Sequence, residues 1–129
     1  MLYRKAYDRL LTWKGQPKRK ALCVMGARQI GKTTLIRQFG KEQYSCFVEV
    51  NFITDTDATK IFAGNLDANT IITNLTAYTR KPMIPGNTLV LLDEIQACPN
   101  ARTAIKFLVE DGRFDYIESG SLLGVRHKE

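Results

Sequence analysis

Gly26-Ala27-Arg28-Gln29-Ile30-Gly31-Lys32-Thr33 is the stretch whose reading decides the fold. Before it stands the apolar run Ala21 to Met25, bounded by Gly26, the pattern of a strand buried on both faces. After it, Leu35, Ile36 and Phe39 share one helical face, and Gly40 is expected to supply the C-cap. The order is strand, glycine loop, helix. The spacing G-x-x-x-x-G-K-[ST] is that of a loop that cradles phosphate. Glycines permit the backbone conformations that aim successive N–H groups at phosphate oxygens, and the helix start adds the positive end of its dipole. Lys32 is then placed to reach β and γ phosphates, and the Thr33 hydroxyl to bind Mg²⁺. Gly26, Ala27, Arg28, Gln29, Ile30, Gly31, Lys32, Thr33 and Thr34 form the candidate nucleotide-binding set.

Further along, Thr88-Leu89-Val90-Leu91-Leu92-Asp93-Glu94 is an apolar strand ending in two acids. A carboxylate at the tip of such a strand is poorly solvated without a cationic partner, and Mg²⁺ provides one. Asp93 is the candidate metal ligand beside Thr33. Glu94 is the candidate general base for a water attacking the γ phosphate, with Lys32 as the stabilising cation. A second acid beside the metal ligand disfavours a kinase that transfers phosphate to a small molecule. The strand ending Ile117-Glu118-Ser119-Gly120-Ser121, read as approximately Phe114 to Glu118, should lie beside the strand of Asp93. Ser119, and with it Ser121, would then stand near the γ phosphate; the alternative is serines that satisfy backbone groups in a turn. Gln96 and Arg28 border the same crevice.

The remaining elements fit an alternating pattern. Tyr3, Tyr7, Leu10 and Leu11 share one side of an amphipathic helix over 2–14, with Arg4, Lys5, Asp8 and Arg9 on another. Cys46 to Phe52 reads as a second strand. Ala58 to Ala63 and Ala68 to Tyr78 read as short helices, the latter capped by Asp67. Residues 80–87 form a Pro/Gly loop. Ala101 to Asp111 carries the stripe Ala101, Ala104, Ile105, Leu108, Val109 and stops at Gly112. Four buried strands alternating with helices require crossovers, so the expected fold is a three-layer α/β/α sandwich with a mostly parallel sheet, one domain over 1–129 with its core over 18–125. Ligands of such sheets bind outside the carboxyl ends of the strands.

Composition supports one ordinary globular domain: of 129 residues, 44% are hydrophobic and 25% charged. No apolar run nears the roughly 20 residues of a membrane-spanning helix, and the charged N-terminus does not read as a signal peptide. Three cysteines, Cys23, Cys46 and Cys98, with one His do not make a disulfide framework or a zinc site. They read as reduced thiols, hence a cytoplasmic protein, with Cys23 and Cys46 as small buried hydrophobes. The formal charge of +6 is uneven: residues 1–32 hold nine Lys or Arg against Asp8 alone, which is +8. That quarter suits nucleic acid, a membrane surface, a polyphosphate ligand or a simple solvated face, and composition does not rank them.

The residues "GARQIGKTTLIRQFG", "LLDEIQACPNARTAIKFLVED" and "SGSLLGV" together resemble a family of prokaryotic AAA+-type ATPases. Those proteins join an N-terminal P-loop NTPase domain, with Walker A and Walker B motifs, to a C-terminal domain of poorly understood ancestry. The resemblance runs from the first helix to about Val125. It implies ATP and Mg²⁺ as cofactors, an additional-strand catalytic-glutamate architecture and self-association of ATPase modules; Lys32, Thr33, Asp93, Glu94 and Ser119 carry over as site residues. Relatives continue with a further strand and a helical lid, so the resemblance implies a fold incomplete at the C-terminus, lacking the last strand, the lid and an arginine finger, a role for which Arg126 is not expected to stand in. The expected function is Mg²⁺-dependent ATP binding and hydrolysis. The alternative is a nucleotide-dependent module or switch that engages protein or DNA with negligible hydrolysis.

Overall fold

The computed structural model describes residues 2–26 and 30–121. Four helices and four strands alternate: α1 (Leu2–Lys14), β1 (Leu22–Gly26), α2 (Ile30–Gln43), β2 (Cys46–Asn51), α3 (Ala68–Thr79), β3 (Thr88–Asp93), α4 (Pro99–Asp111) and β4 (Asp115–Ser121). Short 3-10 segments at Thr56–Phe62 and Ile95–Ala97 complete the described chain. All strand pairs are parallel, in the order β1-β4-β3-β2. The α/β architecture expected from the sequence is therefore present, with β4 beside the strand of Asp93.

The sheet is covered on both faces because its central strand is apolar on both. Every residue of β3 is buried. Val90 and Leu92 join the core under α3, α4 and the 3-10 segment at Thr56–Phe62; Leu89 and Leu91 join the core under α1 and α2. Fully burying side chains of this size stabilises by about 1.5–3 kcal/mol each. Phe39 centres the second core, with Tyr7, Trp13 and Tyr44 around it at centroid distances of 5.7, 6.5 and 5.8 Å. Asp67 caps α3 by accepting from Thr70 N at 3.0 Å, and Gly112 ends α4 with a left-handed φ of 80°. Both caps are those expected.

Several expectations fail for physical reasons. Among the described strands β1 lies at the end of the order, and it is not buried on both faces: Cys23 is exposed, and Leu22, Val24 and Met25 are half-buried. Cys46 and Cys98 are buried. In α1 the inward residue after Leu10 is Trp13 rather than Leu11, which is exposed; the Trp13 indole donates to Lys20 O at 2.8 Å. Gly40 is not a C-cap, since α2 continues to Gln43. It is buried where β2 crosses, and a Cβ there would run into the ring of Phe47. The segment expected as a helix over Ala58 to Ala63 is a 3-10 turn over Thr56–Phe62 with Ala63 as its C-cap, whose start Asp55 caps by accepting from Asp57 N at 3.1 Å. β4 starts one residue later than expected and runs through Ser121, so Ser119 stands in a ladder and not in a turn.

β4 also buries a carboxylate. Glu118 is 7% exposed, and its Oε1 lies 3.3 Å from Nε of the half-exposed Arg102. Burial pushes its carboxyl above the usual range, and Arg102 offsets this in part. The folded state therefore binds this proton more tightly than the unfolded chain, so the contribution is full at low pH and is lost as pH rises through the raised value.

Two outcomes follow. Gly40→Ala should cost about 1–3 kcal/mol through overpacking against Phe47, read as a lower urea midpoint; an unchanged midpoint would show that the ring moves aside freely. In parallel melts from pH 4 to 7, Glu118→Gln should gain stability relative to the unsubstituted protein as pH increases. A difference that is flat with pH would mean that Glu118 titrates as it does in the unfolded chain.

Candidate functional site

The parallel register builds the site. β1 ends at Gly26, and α2 starts at Ile30, so the amino end of α2 sits at the carboxyl end of the sheet with its first N–H groups unpaired by the helix. Ala27, Arg28 and Gln29 lie outside the described residues. In the first turn Lys32 and Thr33 are half-buried, and Gly31 and Thr34 are exposed. The space beside Gly31 is open. Lys32 Nζ donates to Gly120 O at 3.0 Å, which ties the loop lysine to the end of β4.

On the neighbouring strand, Leu92 pairs with Glu118, so the next residues, Asp93 and Ser119, meet. Ser119 Oγ donates to Asp93 Oδ1 at 2.7 Å, and Glu94 N donates to the same oxygen at 2.9 Å. Asn51, level with Asp93 on β2, reaches Oδ2 through its amide at 3.4 Å. Asp93 is thus 6% exposed, held by neutral donors, and in no ion pair among the described residues. The nearby Arg37 is spent on Glu49, which it grips at 2.7 and 2.8 Å; that bond holds its proton more firmly still. A buried carboxylate in no ion pair among the described residues is a hard oxygen donor that fits Mg²⁺, with the half-buried Thr33 in the first turn of α2 as the second candidate ligand. Among the described residues no three His, Cys, Asp or Glu side chains cluster to hold a metal by themselves.

Glu94 follows β3 in a left-handed conformation, φ 55° and ψ 46°. Few non-glycine residues adopt it, and such strain concentrates at functional positions. Its Oε1 accepts from Gln96 Nε2 at 2.8 Å. Gln96 in turn lies against Gly120 so closely that a Cβ there would collide with its Oε1, an atom that is buried without a hydrogen-bond partner. Lys32, Gly120, Gln96 and Glu94 therefore form one chain of contacts across the crevice. Asn51 was not singled out by sequence reading; the available signal was a polar residue ending an otherwise apolar strand. Arg126, and everything beyond Ser121, lies outside the described residues. A cavity of ≈560 Å³ lined by Lys18, Arg19, Lys20, Glu110 and Asp115 lies at the other end of the sheet and involves none of these groups.

Comparison with known proteins agrees with this geometry. A protein-family model described as AAA domain matches residues 18–129. The chain belongs to this AAA domain family. It is thus a nucleotide-binding domain of the ATPase type. Among solved structures it is similar to the Aeropyrum pernix ORC1 protein in complex with DNA, with a TM-score of 0.54, 16% identity, 98% of this chain covered and 40% of the other. It is also similar to the ADP form of the Aeropyrum pernix ORC2 protein, with a TM-score of 0.44, 21% identity, and 98% and 42% coverage. The first of these likenesses shows the fold alone. This AAA domain chain spans less than half the length of either. No curated protein matches by sequence. Among the described residues, no helix is long and apolar enough to cross a membrane.

The contact of Gln96 with Gly120 gives a direct test of the chain across the crevice. Gly120→Ala should fold with a loss under about 1 kcal/mol, because the clashing atom ends a flexible side chain. The Gln96 side-chain amide resonance should then move toward its solvent-exposed position as Glu94 loses its donor. An unmoved resonance would show that Gly120 does not hold Gln96 in place.

Proposed function

We propose that this AAA domain binds ATP with Mg²⁺ and hydrolyses it by attack of water on the γ phosphate. The observation that carries the reading is the convergence of Lys32, Ser119, Asp93 and Glu94 at the carboxyl end of three adjacent strands. Lys32, now satisfied by the carbonyl of Gly120, exchanges that neutral acceptor for β and γ phosphate oxygens, a stronger charge-assisted bond. The N–H groups at the start of α2 face the phosphates. Thr33 and Asp93 would hold Mg²⁺, which supplies charge neutralisation on the phosphates. Ser119 and Asn51 keep the Asp93 carboxylate oriented through its two oxygens. Glu94 accepts the proton of the attacking water, and Gln96 sets the direction of its carboxylate. A cytoplasmic setting goes with this reading, as all three cysteines are free.

A second reading, a nucleotide switch that binds ATP and barely turns it over, has one observation in its favour. One oxygen of Glu94 is already engaged by Gln96, so general base action requires it to be shared or released.

Calorimetric titration with Mg·ATP separates the outcomes. Lys32→Ala should weaken binding about 10- to 100-fold, the worth of one hydrogen bond to a charged group. Glu94→Gln should preserve binding and lower phosphate release by about 10²-fold or more. Binding without phosphate release by the unsubstituted protein would favour the switch, and equal turnover in Glu94→Gln would remove Glu94 from the chemistry.

A further inference from the structure

Among the described residues, Arg19, Arg37, Lys60, Arg102 and Arg113 are each paired with a carboxylate. Arg4, Lys5, Arg9, Lys18 and Lys20 are exposed and form no ion pair among the described residues. These five belong to α1 and the loop after it, a stretch that also carries Lys14 over the Tyr44 ring and has Asp8 as its one acidic residue. The exposed Lys41, Arg80, Lys81 and Lys106, also without an ion pair among the described residues, are spread over other elements. Leu10 and Trp13 fasten α1 to the core, so Arg4, Lys5 and Arg9 stand on its outward side. Thirteen helical residues span about 20 Å, with Lys18 and Lys20 beyond the carboxyl end.

The loop that carries these two lysines is held in shape. Gly15 N and Gln16 N donate to Leu11 O and Trp13 O, both at 3.1 Å. The Trp13 indole donates to Lys20 O, and Arg19 is tied to Asp115 at 2.7 Å and to Gln16 O at 2.8 Å. Lys18 adopts φ 51°, a left-handed conformation that a non-glycine residue keeps only where its surroundings impose it. The one internally paired cation of the loop thus serves to position two unpaired ones.

We propose that this face is a docking track for the phosphate backbone of a duplex nucleic acid. Five exposed cations without an ion pair among the described residues, three on α1 and two in the loop beyond its carboxyl end, suit the phosphate backbone, and their contact with phosphates releases condensed counterions. The track binds without reading bases, because contacts from exposed cations on a helix and a loop to phosphates position a duplex without carrying sequence information. A membrane surface fits less well. An interfacial helix needs its apolar side free to enter the lipid, whereas Leu10 and Trp13 are buried in the protein and Leu11 is the one large apolar side chain among the exposed positions of α1 whose side chains are described. Lys18 and Lys20 precede β1, at the end of the sheet opposite the nucleotide crevice, and the proposal does not depend on hydrolysis.

Fluorescence anisotropy of the full chain with a labelled mixed-sequence duplex of about 30 base pairs, at several salt concentrations, tests it. The logarithm of affinity should fall with the logarithm of salt with a slope of about −4 to −5, at about −0.9 per contact. Arg4→Ala, Lys5→Ala and Arg9→Ala combined should flatten that slope by about three. Lys18→Gly with Lys20→Ala, which also relaxes the left-handed residue, should flatten it by about two. Circular dichroism melts should show no loss of stability in either variant, since all five side chains are exposed and Lys18→Gly removes a strained conformation. Absence of binding at low salt, or a slope indifferent to the triple variant, would overturn the proposal. So would binding to vesicles rich in phosphatidylserine without binding to the duplex, which would make the face a membrane contact.

Discussion

Insertion of β4 between β1 and β3, two strands that precede it in the chain, is the constraint on which the rest of the molecule depends. An internal parallel strand has ladder partners on both edges and helices on both faces. Its polar side chains must therefore find partners within the protein or bear the cost of burial. Ser119 does so on Asp93, and Glu118 reaches toward Arg102. The same insertion sets Gly120 where the carbonyl can receive Lys32 from α2. One topological fact brings together the ends of three strands and the start of a helix.

The two faces of β4 are treated differently by their surroundings. Toward α2, Ser119 donates to Asp93 at 2.7 Å, and Asp93 is in no ion pair among the described residues, an arrangement suited to accepting a divalent ion. Toward α4, Glu118 meets a half-exposed arginine at longer range, and Gln96 and Tyr116 keep oxygen atoms buried without partners. Burial pushes the phenol of Tyr116 well above its ordinary value, which keeps it neutral. Polarity at this end of the sheet is thus concentrated rather than excluded. Such concentration is what a site requires and what a core avoids.

Charge is partitioned by layer. The sequence excess of cations in residues 1–32 becomes, in three dimensions, an outward face on α1 and a pinned loop, while the inward faces of α1 and α2 hold an aromatic core. At the foot of the sheet, Asp115 gathers the Tyr44 hydroxyl at 2.6 Å and Arg19 at 2.7 Å. Desolvation and Asp115 together raise the phenol of Tyr44 far beyond physiological pH, so the Tyr44 hydroxyl stays a donor to Asp115. The loop of Lys18 and Lys20 is ordered by these contacts and not by its own composition.

Read alone, the residues determined what depends on neighbours in sequence. The glycine loop between strand and helix, the caps Asp67 and Gly112, the all-apolar strand ending in Asp93 and Glu94, and the parallel α/β arrangement all follow from local spacing and from the need to bury apolar periodicity. Tertiary structure alone decided what depends on which strand lies beside which. It left Cys23 exposed on β1, turned Gly40 from an expected cap into a point of contact with Phe47, and extended β4 to put Ser119 on a ladder. It also brought Asn51 to Asp93 and Gln96 onto Gly120, contacts between residues 24 to 42 positions apart. No periodicity carries such pairings, because strand order is chosen by the burial and hydrogen bonding of the whole sheet at once.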